Sequence, residues 1–362
     1  MKAIILAGGL GTRLRPLTWN TPKSLVPVLN RPFLEHILQH LKKHGVDEVV
    51  LALSNLASSV QACFGDGNSL GLKISYTIEK SALGTAGAIK NAAQMLSSDS
   101  FLVLNGDIFS DIDYTAMLCS HRLCHSSATI SLTPVDNPTA YGLVETTDTL
   151  RVTHFLEKPK PEEVTTNLIN AGVYILEPSV LDLIPPETEY SIERQLFPYM
   201  LAANYSVYAY QLSGYWIDIG TPQKYSQLNF DLLSGKCVQY SFQNNRDIMV
   251  GQNSWIHPSA TIEGPVLLGN DCMVGPKVSI SGPTVIGSQC RIEEAATIAD
   301  SIMWQGVVVG SNCRFISSIA ANDCFLHHGS EAEYAVLGDH ITLRPNYKLV
   351  NGSMVEPRQT LG

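Results

Sequence analysis

Ile256, Ile262, Leu268, Val274, Ile280, Ile286, Ile292, Ile298 and Trp304 stand six residues apart without a slip, often with glycine or another small residue next in line. No other feature of the chain constrains its fold so tightly. Apolar side chains at this period mark a left-handed parallel β-helix, in which three short strands make one triangular coil and each aliphatic fills the axis. A β-sandwich, the competing all-β reading, needs alternation of period two and irregular loop lengths. The register jumps by one at Val309-Gly310 and fades toward the C-terminus.

Upstream the pattern is different. Residues 1–7 form a short apolar run rich in isoleucine, followed at once by Gly8-Gly9-Leu10-Gly11, as when a buried parallel strand ends in a tight turn. Phe33, Leu34, Ile37, Leu38 and Leu41 follow helical spacing up to a stop at Gly45, and residues 48–53 read as a second buried strand. The alternation recurs: a helix at 86–96, a strand at 101–104 ending in Asn105-Gly106-Asp107, and a helix at 114–123. Strands alternating with helices imply a parallel sheet with right-handed crossovers, and ligands then gather at the carboxyl ends of its strands. Residues 236–254, of which 239–246 are polar and unpatterned, read as a linker between an α/β domain at 1–235 and the β-helix at 255–362.

The formal charge of -9, from 24 basic and 33 acidic residues, leaves no surplus of Lys and Arg to neutralise a nucleic acid. The first apolar run is too short for a signal-peptide core, and no stretch is long and apolar enough for a bilayer, so a cytoplasmic protein without membrane contact is expected. The eight cysteines form no Cys-x-x-Cys pair and read as reduced, mostly buried thiols.

Gly8-Gly9-Leu10-Gly11-Thr12-Arg13-Leu14-Arg15-Pro16-Leu17-Thr18 closes the first strand, and Pro22-Lys23-Ser24-Leu25-Val26-Pro27 follows. Clustered glycines let backbone N–H groups approach a phosphate, and Arg13, Arg15 and Lys23 supply positive charge for a polyphosphate. This is no Walker A loop, and it departs from the dinucleotide fingerprint because Leu14 stands where the third glycine belongs. Asp107, after its apolar strand, and Asp218, in Trp216-Ile217-Asp218-Ile219-Gly220, offer hard oxygens in apolar settings. Such oxygens suit Mg²⁺, which keeps several waters and leans on one or two carboxylates plus substrate phosphates; a turn or helix cap is the plain alternative for either Asp alone. Glu157 and Lys158 are adjacent, so both reach one ligand only if the chain turns there, which Pro159 encourages. Otherwise they are a surface ion pair of little worth.

Residues 8–18 together with 22–27 resemble the signature of the sugar-1-phosphate nucleotidylyltransferases, and the resemblance spans essentially the whole chain, because in that family a Rossmann-like domain is often followed by a hexapeptide β-helix. It implies an α/β fold with a Rossmann-like, mostly parallel sheet, and a nucleoside triphosphate and a sugar 1-phosphate as partners. By this resemblance Asp107 and Asp218 hold a catalytic Mg²⁺, Glu157 binds sugar hydroxyls and Lys158 the sugar's phosphate, with Tyr141, Gly142, Asn170 and Gly172 completing the pocket. The nucleotide lies along Leu6, Ala7, Gly8, Gly9, Gly11 and Thr12, its base read by main-chain groups there and at Gly84-Thr85, while Arg13 and Lys23 stabilise the triphosphate and the departing pyrophosphate. No covalent nucleophile is indicated, so the side chains position reactants and neutralise charge during in-line attack on the α-phosphorus.

Within the family, Leu83-Gly84-Thr85-Ala86-Gly87 and Asn170-Ala171-Gly172 match members that make GDP-mannose, although relatives using glucose 1-phosphate with UTP, dTTP or ATP share much of the pattern. Thymidylyl relatives tend to carry a glutamine after the lysine stretch and another in the base pocket; Pro22-Lys23-Ser24-Leu25 and Gly84-Thr85-Ala86 tilt toward guanine. A non-catalytic regulatory subunit is disfavoured by the presence of Arg13, Lys23, Asp107 and Asp218. An acyltransferase activity built on His327-His328 lacks a long loop to close over an acyl carrier. The open ends and flat faces of a β-helix imply a homo-oligomer assembled through residues 255–340. His36, His40 and His44 on one helix, and Cys119, His121, Cys124 and His125 on another, lack the spacing of known zinc sites and read as exposed helix faces.

Overall fold

A computed structural model describes residues 1–54, 56–79, 81–96, 99–237 and 248–362 and divides them into two compact units: Met1–Gly9 with Leu34–Ile217, and Leu10–Phe33 with Asp218–Gly362. Most of the expected linker, residues 238–247, lies outside the described residues.

The sheet of the first unit runs Val152–Glu157, Gly142–Thr146, Leu168–Leu176, Phe101–Asn105, Lys2–Leu6, Glu48–Leu53, Lys73–Ile78. The last four strands are parallel, and Ala3, Ile4 and Ile5 are completely buried, as expected of a strand covered on both faces. From Phe101–Asn105 outward the pairing turns antiparallel: Leu168–Leu176 runs against Phe101–Asn105 and against Ala128–Pro134. Only residues 147–151 connect Gly142–Thr146 to Val152–Glu157, too few for the helical crossover that a parallel pair needs.

The helix read at 86–96 is Gly84–Asn91 followed by a 3₁₀ turn at Ala93–Met95. Helices Phe33–Lys43 and Tyr114–Leu123 form where the spacing places them, but their histidines are not on exposed faces. His36 and His121 are buried, and His40 is 1% exposed with Nε2 donating to the Ile112 carbonyl at 2.8 Å. His121 sits between Thr129 and Glu177, its Nε2 donating to Glu177 Oε1 at 2.9 Å. His40 and His121 are used by the fold, because their side of each helix is packed, whereas Cys119 and His125 stand exposed as expected.

In the second unit three parallel sheets stack coil upon coil, giving the left-handed parallel β-helix. Ile256, Val274 and Ile292 form one column, Ile262, Ile280 and Ile298 another, and Leu268 and Ile286 a third. The residue that continues the third column is Met303, not Trp304, because Ile286 pairs with Met303. The corner spanned by Gly282-Pro283 in one coil is crossed in the next by Asp300 alone, in a left-handed conformation at φ 49°, so the coil is one residue shorter. The slip expected at Val309-Gly310 thus comes earlier, and the coils continue in register to Leu361 rather than fading. Trp304 takes the corner position held by Gly269 and Gly287 in the preceding coils. Its indole is 2% exposed and Nε1 donates to the Tyr225 hydroxyl at 2.9 Å.

No helix among the described residues is long and apolar enough to cross a membrane. None of the eight cysteines is in a disulfide among the described residues; five are buried, Cys124 is half-buried, and Cys63 and Cys119 are exposed.

Candidate active site

In the first unit the parallel register aligns Leu6 with Ala52 and with Asn105, so the carboxyl ends of three strands open at one level. Ala7 N–H donates to the Ala52 carbonyl and Gly106 N–H to the Leu6 carbonyl, both at 2.9 Å. A β-carbon on Gly106 would lie 2.7 Å from the Leu6 carbonyl oxygen, so only glycine lets the chain pass here and present Asp107. Gly8 accepts from Ser54 Oγ, whereas Gly9 has open space around its Cα.

Gly84, at φ +70°, begins its helix against the Tyr190 carbonyl, which accepts from Ala86 N–H at 2.8 Å and Gly87 N–H at 3.0 Å. The Thr85 hydroxyl donates to Glu193 Oε2 and accepts from Ile192 N–H, each at 2.8 Å, so that hydroxyl is committed within the protein. Glu193, absent from the reading of the sequence, also accepts from Ser191 Oγ at 2.8 Å and from Tyr174 OH at 3.4 Å. Tyr174 in turn accepts from Asn170 Nδ2 at 2.7 Å, so one carboxylate joins the nucleotide candidate Thr85 to the sugar candidate Asn170. Ser191-Ile192-Glu193 resembles an ordinary helix start, which hid the role.

The sugar candidates are brought together. Glu157 pairs with Gly142 across two antiparallel strands, and a β-carbon on Gly142 would stand 3.0 Å from Glu157 Oε2. Lys158 has φ 53° and donates its N–H to the Tyr141 carbonyl at 3.0 Å; the chain does turn between the acid and the ammonium. Burial raises the Glu157 carboxyl above the usual carboxylate range, the Glu193 charge adds to this, and Lys158 and Arg194 oppose it. The Tyr141 and Trp216 rings meet edge to face at 5.5 Å, and Trp216 Nε1 donates to the Ala171 carbonyl at 3.0 Å. Gly172, at φ +71°, accepts no side chain: a β-carbon would fall 2.2 Å from Ile108 Cδ1.

The second unit carries Arg13, Arg15 and Lys23. Gly11 is left-handed at φ +61°, its carbonyl accepts from Thr18 Oγ1 at 2.7 Å, and Lys23 Cβ would be 3.2 Å from a β-carbon there. Arg13 lies in the turn Thr12–Leu14 and Lys23 in the turn Lys23–Leu25. Arg15 stacks over Trp19 at 3.6 Å, a partner that the phosphate reading did not foresee. Around Gly220, Arg13 Nη2 and Asp218 Oδ2 each lie 3.1 Å from where a β-carbon would be, and Asp218 Oδ1 is ion-paired with Lys224. Lys224 was not singled out in the sequence. It stands in the first turn of the helix Pro222–Leu233, where the helix dipole disfavours a cation, and that misplacement was the available signal for a nearby anion.

Asp107 belongs to the first unit and Asp218 to the second. Among the described residues no group of three or more His, Cys, Asp or Glu could hold a metal. Asp107 and Asp218 are each a single hard carboxylate, Asp218 already ion-paired with Lys224, and a lone carboxylate of this kind suits an ion completed by water and substrate phosphate rather than a soft, fully protein-ligated one.

Residues 2–235 match the nucleotidyl transferase family, and residues 244–362 match the GMPPB C-terminal domain. The chain is 39% identical to mannose-1-phosphate guanylyltransferase from Mycobacterium tuberculosis over 72% of its own length and 73% of the relative's. It is 34% identical to UTP–glucose-1-phosphate uridylyltransferase from Synechocystis sp. over 88% and 87%. The solved structure of HddC from Yersinia pseudotuberculosis complexed with GMP-PN superposes with a TM-score of 0.54 at 32% identity, covering 63% of this chain and 97% of that one. With glycine turns at aligned strand ends and a β-helix following in the sequence, the chain belongs to the nucleotidyl transferase family.

Proposed function

We propose that the protein transfers a guanylyl group from GTP to mannose 1-phosphate, releasing pyrophosphate and GDP-mannose. The observation that carries the substrate choice is the 39% identity to a mannose-1-phosphate guanylyltransferase, and the likeness to a structure complexed with GMP-PN supports it. The phosphate oxygen of mannose 1-phosphate attacks the α-phosphorus in line and pyrophosphate leaves; no side chain forms a bond to phosphorus. Arg13 and Lys23 bind the triphosphate and its leaving portion, with Gly8, Gly9, Gly11 and Thr12 offering backbone donors. Main-chain groups at Leu6, Ala7, Gly84 and Thr85 read the base. Glu157 accepts from sugar hydroxyls, Lys158 steers the attacking phosphate, and Tyr141, Gly142, Asn170 and Gly172 shape the wall behind the ring.

Enzymes of this family generally use a divalent metal. Asp107 and Asp218 would hold Mg²⁺, which when bound would neutralise charge on the phosphates. Lys224 then serves as the resting partner of Asp218. The division into a catalytic domain at 1–235, a linker at 236–254 and a β-helix at 255–362 belongs to the same reading. So does assembly into a homo-oligomer through the β-helix, supported by Trp255 and Met273, exposed on successive coils of one face, and by Phe325, exposed on the same face three coils further on, beyond Arg291 and Val308. Eight cysteines outside any disulfide fit a reducing, cytoplasmic setting.

A uridylyl reading has its own support in the 34% identity that extends over 88% of the chain. A panel of GTP, UTP, dTTP and ATP against mannose and glucose 1-phosphates, read by pyrophosphate release, decides between them. GTP with mannose 1-phosphate should lead; UTP or dTTP with glucose 1-phosphate ahead by about tenfold, or ~1.4 kcal/mol of transition-state discrimination, overturns the guanylyl assignment.

A further inference from the structure

The segment Leu10–Phe33, which carries Gly11, Arg13 and Lys23, falls in the same compact unit as the β-helix. It is fastened on both sides of Lys23. Downstream, Tyr225 OH donates to the Pro27 carbonyl while accepting from Trp304, and Asn30 Nδ2 donates to the Ile286 carbonyl at 2.8 Å. Upstream, Asn20 Nδ2 donates to Asp339 Oδ2 at 3.0 Å. Asp339 is 4% exposed, and its Oδ1 accepts from Asn322 N–H at 3.1 Å and Asn322 Nδ2 at 3.0 Å.

The corner occupied by Asp339 does not call for a charge. Coil register places Gln252, Asn270, Ser288, Gln305, Asn322 and Asp339 one above another. Along this stack a backbone N–H is accepted by the side chain one coil on: Gln252 by Asn270 at 2.8 Å, Asn270 by Ser288 at 3.1 Å, Asn322 by Asp339. A neutral amide or hydroxyl completes that bond elsewhere in the stack. A buried carboxylate is costly unless both oxygens find donors, and the second oxygen of Asp339 finds its donor on the loop.

We propose that Asp339 is a positioning residue for Lys23: by holding Asn20 it fixes the upstream end of the turn Lys23–Leu25, so the ammonium is already in place when a triphosphate arrives. The inference rests on the reading of Lys23 as a phosphate-binding residue. It makes the β-helix a working part of the nucleotide site, since the latch is built from a coil more than three hundred residues along the chain from the loop it holds.

The test uses full-length Asp339→Ala, Asp339→Asn and Asn20→Ala. Amide exchange at residues 18–26 reads the loop without turnover. Asp339→Ala and Asn20→Ala should each raise it about tenfold, the scale of one lost hydrogen bond to a charged group, and leave residues 268–298 unchanged. The KM for the triphosphate should rise about three- to tenfold with the KM for the sugar 1-phosphate within about twofold, and the double variant should be no worse than either single one. Asp339→Asn keeps Oδ1 as the acceptor for Asn322, and its new Nδ2 donates to Asn20 once the exposed Asn20 amide turns to present Oδ1, so this variant should restore both readouts. Because Asn20 is exposed, Asn20→Ala tests the same bond if Asp339→Ala does not fold. Unchanged exchange at 18–26 in folded Asn20→Ala protein overturns the latch. Raised exchange with an unchanged triphosphate KM overturns the positioning role. Wild-type protein that turns over no triphosphate in any pairing overturns the proposed function instead, and leaves exchange to decide the latch.

Discussion

Replacing Trp304 with isoleucine separates two placements of that residue. A side chain filling the β-helix axis, as the six-residue spacing implies, is matched by isoleucine, and stability would hold or rise. In the structure the indole leaves the coil and donates to Tyr225 OH, which is itself completely buried and donates to the Pro27 carbonyl. A buried tryptophan removes ~150–250 Å² from water. Isoleucine at an outward corner gives up roughly 80 Å² of that, or ~2 kcal/mol, and the lost indole bond adds about 1 kcal/mol. The expected loss is therefore about 3 kcal/mol. Urea unfolding followed by far-ultraviolet circular dichroism reads it as a lower midpoint at unchanged slope. Trp304→Phe, which keeps most of the bulk, should lose about 1 kcal/mol, and Met303→Ile, on the axis, should stay within about 1.5 kcal/mol of wild type. If Trp304→Ile unfolds at the wild-type midpoint while Met303→Ile falls, the register described here is wrong.

Asp107→Asn and Asp218→Asn should each lower turnover about a hundredfold, ~3 kcal/mol, and weaken the response to Mg²⁺, with the double variant little worse than either; full activity of Asp218→Asn at limiting Mg²⁺ makes Asp218 structural. Burial, aided by His44 and Lys43 against the Ile112 bond and Asp113, lowers the His40 pKa from 6.5 to about 4. The folded chain thus refuses a proton that the unfolded chain takes up, so stability is fully present above pH 6.5 and falls as pH drops toward 4, by up to about 3 kcal/mol. Denaturation midpoints of wild type and His40→Gln should diverge through that window; parallel curves remove His40 as the cause. Light scattering at micromolar concentration should find an oligomer, and a monomeric full-length protein contradicts assembly through the β-helix.

The columns of aliphatics were readable because an axis admits one kind of side chain at one interval, and each of Ile262 to Ile298 reports only its own coil. The shortened corner at Asp300 was not, since deleting one residue there slides a second apolar residue, Trp304, into the expected place. At the candidate site, glycines could be read because a missing β-carbon leaves a trace in the sequence; Gly106 and Gly172 are forced by contacts of 2.7 and 2.2 Å. Glu193 and Lys224 escaped because each looks like a helix-terminal residue, and what distinguishes them is a partner brought by folding. The same holds for His40, whose polar ring gives no hint that Ile112 will accept from it.

Trp304, through Tyr225, and Asp339 directly hold the loop from places two coils apart on the solenoid. Each coil advances ~4.8 Å, so the two grips are about 10 Å apart along the axis, and the number of coils between them acts as a gauge. A whole coil can be excised from a repeat like this with every strand finding a new neighbour, yet excision between Trp304 and Asp339 would draw the upper grip about 5 Å away from Asn20. Gain or loss of coils beyond Leu343 leaves the gauge as it is. Drift in solenoid length should therefore be tolerated at the C-terminal end and resisted in the interval that measures out the loop.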